Sequence, residues 1–303
     1  MIPRPKPERF RLRRTMMFMN AQKPGLIKDA YIYGADSIML DLEDAVAENQ
    51  KDAARFSLYH ALTTIDYGDT EVIVRINGLD TPHWQEDIRV CVAGGADGIR
   101  IAKCESAQDV KTVEAATLAA EKEFGVEEGR TLLMAALESP KGILNAYEIC
   151  TASDRLFGVA ISGGDYRKCM QVGVVPGGIE MLAARGQMLI AARAAGVQCF
   201  DTVFTNLDDA EGFEAEVRQN KEMGFDGKSL INPKQIPVVH RIFAPTQKEI
   251  AAAEKIVRAM RENAEKGVGV FTVDGKMIDV AFLPGAERTI KLAKASGIYE
   301  GDL

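Results

Sequence analysis

Residues 131–166 read TLLMAALESPKGILNAYEICTASDRLFGVAISGGDY, and this stretch restricts the fold more than any other. Its two apolar runs, 132–137 and 156–161, are bounded by turn residues, and each ends beside a carboxylate, Glu138 and then Asp165. Short runs with no polar alternation suit strands buried on both faces, as a parallel sheet requires, and the amphipathic segment 143–150 between them predicts a crossover helix. Two carboxylates at the carboxyl ends of neighbouring parallel strands are placed to hold one divalent cation.

The same alternation runs through most of the chain. Further strands are expected over 12–19, 37–42, 71–76, 98–101, 199–204 and 228–231. Helices are expected over 23–33, 45–62, 84–92, 107–124, 179–195 and 210–223, several of them stopped by glycine. About eight strand–helix units in roughly 240 residues have the size and period of a (β/α)8 TIM-type barrel. Residues 1–245 form that barrel, and 246–303 form an extension. Thr246 and Glu249 make a capping box before a long helix over 247–266; 270–273, Asp274-Gly275 and 276–280 read as a hairpin; a last helix covers 286–295. The extension is not needed to close a barrel, so it is expected to cover an open mouth or a neighbouring subunit.

Charge and cysteine usage narrow the function. A formal net charge of -7 argues against nucleic acid or an anionic membrane as the main partner, since both require a basic field. An anionic substrate then needs local cations. The five cysteines form no CxxC pair and read as reduced thiols of a cytoplasmic protein, and the three scattered histidines argue against a histidine-rich zinc site. The basic amino terminus carries an apolar run, 16–19, too short for a signal peptide, and no later stretch approaches a membrane span.

Chain order in such a barrel puts Glu43, Asp44, Arg75, Lys103, Glu138 and Asp165 at the carboxyl ends of strands, where active sites form. Hard oxygen ligands beside two cations suit magnesium in a mouth that accepts phosphate or carboxylate. Each residue has a plainer reading. The acids of 41–44 precede an expected helix and suit N-caps, Arg75 suits a partner for one of them, and Lys103 suits a solvated loop. Glu138 and Asp165 resist that reading, because acids beside apolar strands carry a desolvation cost unless a cation offsets it. Gly227-Lys228-Ser229 fails as a phosphate loop because it leads into a strand and lacks the leading glycine.

IMLDLEDAV at 38–46, VRING at 74–78, GADGIRIAK at 95–103, AALESPKGI at 135–143, GGDY at 163–166, FDTV at 200–203 and GFDGKSLINPKQI at 224–236 carry a resemblance nearly from end to end. It continues into APTQKEI at 244–250 and GKMID at 275–279. These motifs resemble citrate lyase beta subunits, of the HpcH/HpaI aldolase/citrate lyase family of magnesium-dependent CoA-thioester lyases and aldolases, which includes malyl-CoA and citramalyl-CoA lyases. The resemblance implies Glu138 and Asp165 as metal ligands for Mg2+, or Mn2+ in its place. It implies Arg75 as the arginine holding the oxo-acid carboxylate, with Glu43 and Asp44 around metal and arginine. Asp279 matches an aspartate on the tail that reaches the active site of an adjacent subunit. Arg14 and Lys103 join Arg75 as the cations expected to bind substrate.

The chain departs from the family's pattern at two places. LFVPG after the first strand is here Met17-Phe18-Met19-Asn20-Ala21, and GAEDY is Ser162-Gly163-Gly164-Asp165-Tyr166, without the glutamate. The reaction implied is cleavage of a 3-hydroxyacyl thioester, citryl-CoA or citryl-carrier protein, to acetyl thioester and oxaloacetate, with CoA entering as part of the substrate. Alternatives are citramalyl-CoA cleavage to pyruvate, malyl-CoA cleavage, a thioester-independent metal aldolase, and a non-catalytic subunit of a complex. A homo-oligomer, trimer or hexamer, and other citrate lyase subunits are the implied protein partners; nucleic acid and membrane are not.

Overall fold

Eight parallel strands close into a barrel in sequence order in the computed structural model, which describes residues 5–265 and 267–303. The first four residues of the basic terminus and the last residue of the helix expected over 247–266 lie outside the described residues. The strands are β1 (Thr15–Asn20), β2 (Ser37–Asp41), β3 (Glu71–Arg75), β4 (Gly98–Ile101), β5 (Leu132–Leu137), β6 (Leu156–Ile161), β7 (Gln198–Asp201) and β8 (Gly227–Leu230). Every residue of β2, β5 and β6 is buried, which is why these runs lack polar alternation. Met16, Met39, Ile73, Met134, Phe157 and Phe200 pack together as the core inside the barrel. That layer makes the barrel interior a packed core rather than a pore.

The connections are α1 (Pro24–Ile27), α2 (Lys51–Thr64), α3 (Trp84–Gly94), α4 (Ala107–Phe124), α5 (Pro140–Leu144), α6 (Ala146–Cys150), α7 (Gly163–Met170), α8 (Ile179–Ala195), α9 (Ala210–Met223) and α10 (Ile236–Phe243). Five differ from the sequence reading, the first being the helix expected over 45–62, which begins only at Lys51 after a loop and a 3-10 turn, Glu48–Gln50. The helix expected over 23–33 is the single turn α1 and a 3-10 turn, Ala30–Tyr33, closed by left-handed Gly34. The crossover expected over 143–150 is two short helices, because Asn145 (φ -90°, ψ 10°) breaks the run and Ser139 with Pro140 starts it early. Helix α7, which the strand–helix pattern does not include, begins inside GGDY, and α10 follows β8.

The chain divides into two compact units, one up to Val239 and one from His240 to Leu303. In the second, α11 (Gln247–Glu265) starts at the expected capping box, with the Glu249 N–H donating to Thr246 Oγ1 at 3.2 Å and the Thr246 N–H to Glu249 Oε2 at 2.6 Å. Strands β9 (Phe271–Val273) and β10 (Lys276–Ile278) form the hairpin around Asp274 and Gly275, both at positive φ. Helix α12 (Leu283–Ala295) packs Ala286 and Ile290 on Ala253 and Val257 of α11. Among the described residues no helix is long and apolar enough to cross a membrane.

Candidate active site

Strand register builds the site. Asn20 pairs with Asp41, Asp41 with Arg75, Arg75 with Arg100 and Arg100 with Met134, so one rung carries two guanidiniums and a carboxylate across the barrel's carboxyl end. Cross-strand partners share a face, and Met134 belongs to the inner core, so the whole rung faces the barrel axis. Arg75 donates from Nε and Nη2 to the two oxygens of Asp41, each at 2.7 Å, a bidentate fork. Its Nη1 lies 2.9 Å from Glu43 Oε2. Burial alone would depress the Arg75 guanidinium, but Asp41 and Glu43 hold it above its ordinary value. Asp41 is drawn the other way: burial raises it, and Arg75 with two backbone N–H groups brings it below the usual carboxylate value.

The acids of 41–44 therefore do not cap a helix. Asp41 accepts from Arg75 and from the N–H groups of Glu43 and Ala45, folding the chain after β2 into a loop. Lys51 pins that loop by donating to the carbonyls of Leu42 and Glu43 at 2.9 and 2.8 Å. The loop turns the buried Glu43 toward Lys103, whose Nζ sits 2.7 Å from Glu43 Oε1 and 3.8 Å from Asp44 Oδ1. Lys103 holds a left-handed conformation (φ 51°), and burial's downward pull on its ammonium is outweighed by Glu43 and Asp44.

Glu138 follows β5 and is 2% exposed. Burial, opposed by Arg100 and reinforced by Glu43, pushes its carboxyl up to about 7. Oε1 accepts from Ser162 Oγ at 3.2 Å, while Oε2 has no partner among the described residues. Asp165, half-buried on the first turn of α7, lines two neighbouring cavities. One, of about 500 Å³, is also lined by Lys103, Glu138, Lys141 and Lys168. The other, of about 290 Å³, is lined by Phe18, Asp41, Arg75, Arg100, Ser162 and Ser229. Gly142, on α5, permits the close approach of β4 and β5 loops here, since a Cβ would sit 2.7 Å from the Cys104 carbonyl oxygen.

A hard divalent cation fits this arrangement. An orphaned, buried carboxylate oxygen on Glu138 beside the accessible Asp165 offers two anionic oxygens and leaves the remaining positions for water and substrate. Among the described residues no group of three His, Cys, Asp or Glu could hold a metal, so protein ligands alone would not enclose it.

Six of the predicted residues, Glu43, Asp44, Arg75, Lys103, Glu138 and Asp165, lie at the carboxyl ends of the barrel strands. Arg14 does not. It precedes β1 at the opposite end, where its backbone N–H and Nε donate to Asp36 Oδ2 and its Nη2 to Oδ1, at 2.7 to 2.9 Å. Strand β1 starts at Thr15 and not at residue 12, so Arg14 leads into the strand. Asp279 belongs to the second unit, where its side chain accepts from the Ala281 N–H at 2.9 Å and caps a 3-10 turn, Val280–Phe282. Sequence reasoning missed Arg100, Ser162, Ser229 and the specific role of Asp41. The signal for Arg100 was present, as a charge inside the apolar run GIRI.

The profile of the HpcH/HpaI aldolase/citrate lyase family matches residues 14–233, and that of C-C bond lyases of the TIM-barrel fold matches 179–298. Citrate lyase subunit beta of Leuconostoc mesenteroides subsp. cremoris is 50% identical over 96% of this chain and 97% of its own length. The crystal structure of CitE from Mycobacterium tuberculosis with magnesium, acetoacetate and coenzyme A superposes with a TM-score of 0.75 at 29% identity, covering 93% of this chain and 98% of that one. The citrate lyase beta subunit from M. tuberculosis with oxaloacetate and magnesium gives 0.64 at 30%, covering 76% and 96%. A barrel whose mouth gathers Asp41, Arg75, Glu138 and Asp165, matched along nearly its whole length, places this chain in the HpcH/HpaI aldolase/citrate lyase family.

Proposed function

We propose that the chain is a magnesium-dependent carbon–carbon lyase that cleaves citryl-CoA, or citryl-carrier protein, to the acetyl thioester and oxaloacetate. The observation that carries this reading is the buried, half-partnered Glu138 in the same mouth as Arg75 and Arg100. The names of the relatives and the magnesium, oxaloacetate and coenzyme A bound by the two mycobacterial structures support it.

Glu138 and Asp165 would hold the cation, which when bound supplies Lewis-acid polarisation of the oxygens next to the scissile bond. The chain's own groups position the rest. Asp41 fixes the Arg75 guanidinium so that its remaining N–H groups meet the carboxylate on the reacting carbon. Glu43 and Asp44 hold Lys103 at the rim, where its charge draws in an anionic substrate. The substrate hydroxyl gives up its proton to solvent water, and its carbon becomes the oxo group as the bond to the acetyl carbon breaks. The carbon–carbon bond breaks with its electron pair moving into the thioester as an enolate. Asp279 from a neighbouring copy, or water, then protonates that carbon to give the acetyl thioester.

We place the protein in the cytoplasm as a homo-oligomer, trimer or hexamer, working with other citrate lyase subunits. Exposed apolar side chains on α5, α6 and α8, among them Leu144, Tyr147, Ile179 and Ile190, support an oligomer. The test incubates the purified protein with magnesium and, separately, citryl-CoA, citramalyl-CoA and malyl-CoA, following acetyl-CoA and oxo acid, with Glu138→Gln as control. Metal-dependent cleavage of citryl-CoA that disappears in the variant is the expected result. Preference for either other thioester reassigns the substrate, and cleavage of none overturns the CoA-lyase reading.

A further inference from the structure

The two arginines of the mouth differ in what they have left to give. Each nitrogen of Arg75 already faces a carboxylate oxygen of Asp41 or Glu43. Arg100 is 1% exposed, makes a single 3.3 Å bond from Nη2 to Ser162 Oγ, and has no partner for Nε or Nη1 among the described residues. Its guanidinium stands 5.2 Å from the Phe18 ring centroid, and Arg75 stands 5.1 Å from the same centroid. Ser229 Oγ, buried in the same cavity wall, is unpartnered as well. A buried cation with two empty nitrogens is costly unless an anion completes it.

We infer that Arg100, with Ser229 beside it, binds the second carboxylate of a dicarboxylic oxo acid, and so selects a citryl over a citramalyl thioester. The inference rests on the lyase reading and names the group that sets its substrate. A thioester's bulky tail must leave the barrel through the open mouth, so the substrate arm farthest from the tail goes deepest. In a citryl thioester the hydroxyl-bearing carbon carries a carboxymethyl arm; in a citramalyl thioester that arm is a methyl group. Arg100 is the more deeply buried of the two arginines, and its side chain is long, planar and bidentate. A methyl group there leaves both nitrogens unmet, whereas a carboxylate satisfies them. Sites built to pair a charged group discriminate strongly against analogues that lack it.

The test compares wild type with Arg100→Met and Arg100→Lys, with magnesium present throughout. It reads the ratio of kcat/KM for citryl-CoA to that for citramalyl-CoA, and separately the calorimetric Kd of oxaloacetate and of pyruvate. The expected result is a fall of about 100-fold in the ratio for Arg100→Met, smaller for the lysine variant, with oxaloacetate affinity weakened far more than pyruvate affinity. Equal losses on both thioesters, or an unchanged oxaloacetate Kd, overturn the inference. Should the methionine variant not fold, the lysine variant and the wild-type preference for oxaloacetate over pyruvate decide it; equal affinity for the two acids in wild type sinks it. If wild type cleaves neither thioester yet binds oxaloacetate through Arg100, the lyase reading fails while the carboxylate site stands.

Discussion

Arg13 and Arg100 are both buried arginines beside a phenylalanine ring at one end of the barrel, yet they sit in opposite states of satisfaction. At the amino-terminal end, Arg13 has all five N–H donors engaged: with both oxygens of Glu71 at 2.7 and 2.8 Å, the carbonyls of Glu8 and Arg9 at 2.9 Å each, and Gln198. Ser37 adds a 2.6 Å bond to Glu71, and the guanidinium lies 4.0 Å over Phe157. At the carboxyl end, Arg100 has one long bond and Glu138 has one empty oxygen. The same residue types close one end as structure and leave the other short of partners. A buried charge that lacks a partner costs stability, so its retention at the mouth points to ligands that complete it.

The largest effect expected from breaking this contrast is at Glu138. Glu138→Gln removes one anionic oxygen from the proposed cation site and should lower kcat by about 10³-fold or more, several kcal/mol of charge stabilisation. The same change should stabilise the fold. The folded carboxyl titrates at about 7 against an ordinary 4.5, so between those values the native state keeps a proton the unfolded chain has released. Wild-type stability therefore falls as pH rises through that window and levels off above it, and the glutamine variant lacks the fall. Thermal melts from pH 4.5 to 8 should show the variant's advantage growing with pH. Melting with magnesium sharpens the point: protons compete with the cation for Glu138, so its stabilisation of wild type should fade below about pH 7. An equal metal-dependent shift in the variant would remove Glu138 from the site.

Next comes the satisfied end. Arg13→Met strands Glu71 in a dry site and should cost about 3–5 kcal/mol of stability, read from urea or thermal unfolding, while kcat/KM of the folded protein stays within about twofold. A large kinetic effect with little loss of stability would erase the distinction between the two ends.

These contrasts were only partly legible in the chain. Strands β5 and β6 are legible because 132–137 and 156–161 are apolar throughout, a direct consequence of burial on both faces. Glu138 and Asp165 were visible because they stand just past such runs. Arg100 was hidden because a charge within a strand reveals its face only once closure and register are known; the rung Asp41–Arg75–Arg100 exists only in the paired barrel. The plainer reading of 41–44 as N-caps fails because the helix begins only at Lys51, and the fork from Asp41 to Arg75 depends on strand register. Arg14 precedes β1 and lies at the amino-terminal end beside Asp36, which either strand boundary, 12 or 15, already implies. Helix α7 was missed because Gly163 and Gly164 argue against a helix locally, and tertiary packing overrides them, with the Gly163 N–H held at 2.8 Å by Thr202 Oγ1.

A smaller effect tests how Arg75 is aimed. Asp41→Asn keeps the shape but replaces two charge-assisted bonds with one neutral acceptor, so the guanidinium is free to shift toward Glu43. A tenfold to hundredfold loss in kcat/KM is expected, about what small misplacement of a positioning group costs. No loss at all would mean that Glu43 alone suffices to orient Arg75.

The smallest effect lies at Ser162, the hydroxyl between the two unsatisfied groups. Its oxygen accepts from Arg100 Nη2 at 3.3 Å and its proton goes to Glu138 Oε1 at 3.2 Å, so one side chain touches both the acid proposed to hold the cation and the second arginine. Removing it in Ser162→Ala deletes two long, neutral-donor or neutral-acceptor bonds, worth about 1 kcal/mol together, or about fivefold in rate. The direction of the accompanying pH shift is the sharper readout. Loss of a donor to the Glu138 carboxylate favours its protonated form, so the acid limb of the magnesium-binding profile should move to higher pH in the variant. A shift to lower pH would mean that Ser162 presents its lone pair to a protonated Glu138, and that its proton lies elsewhere.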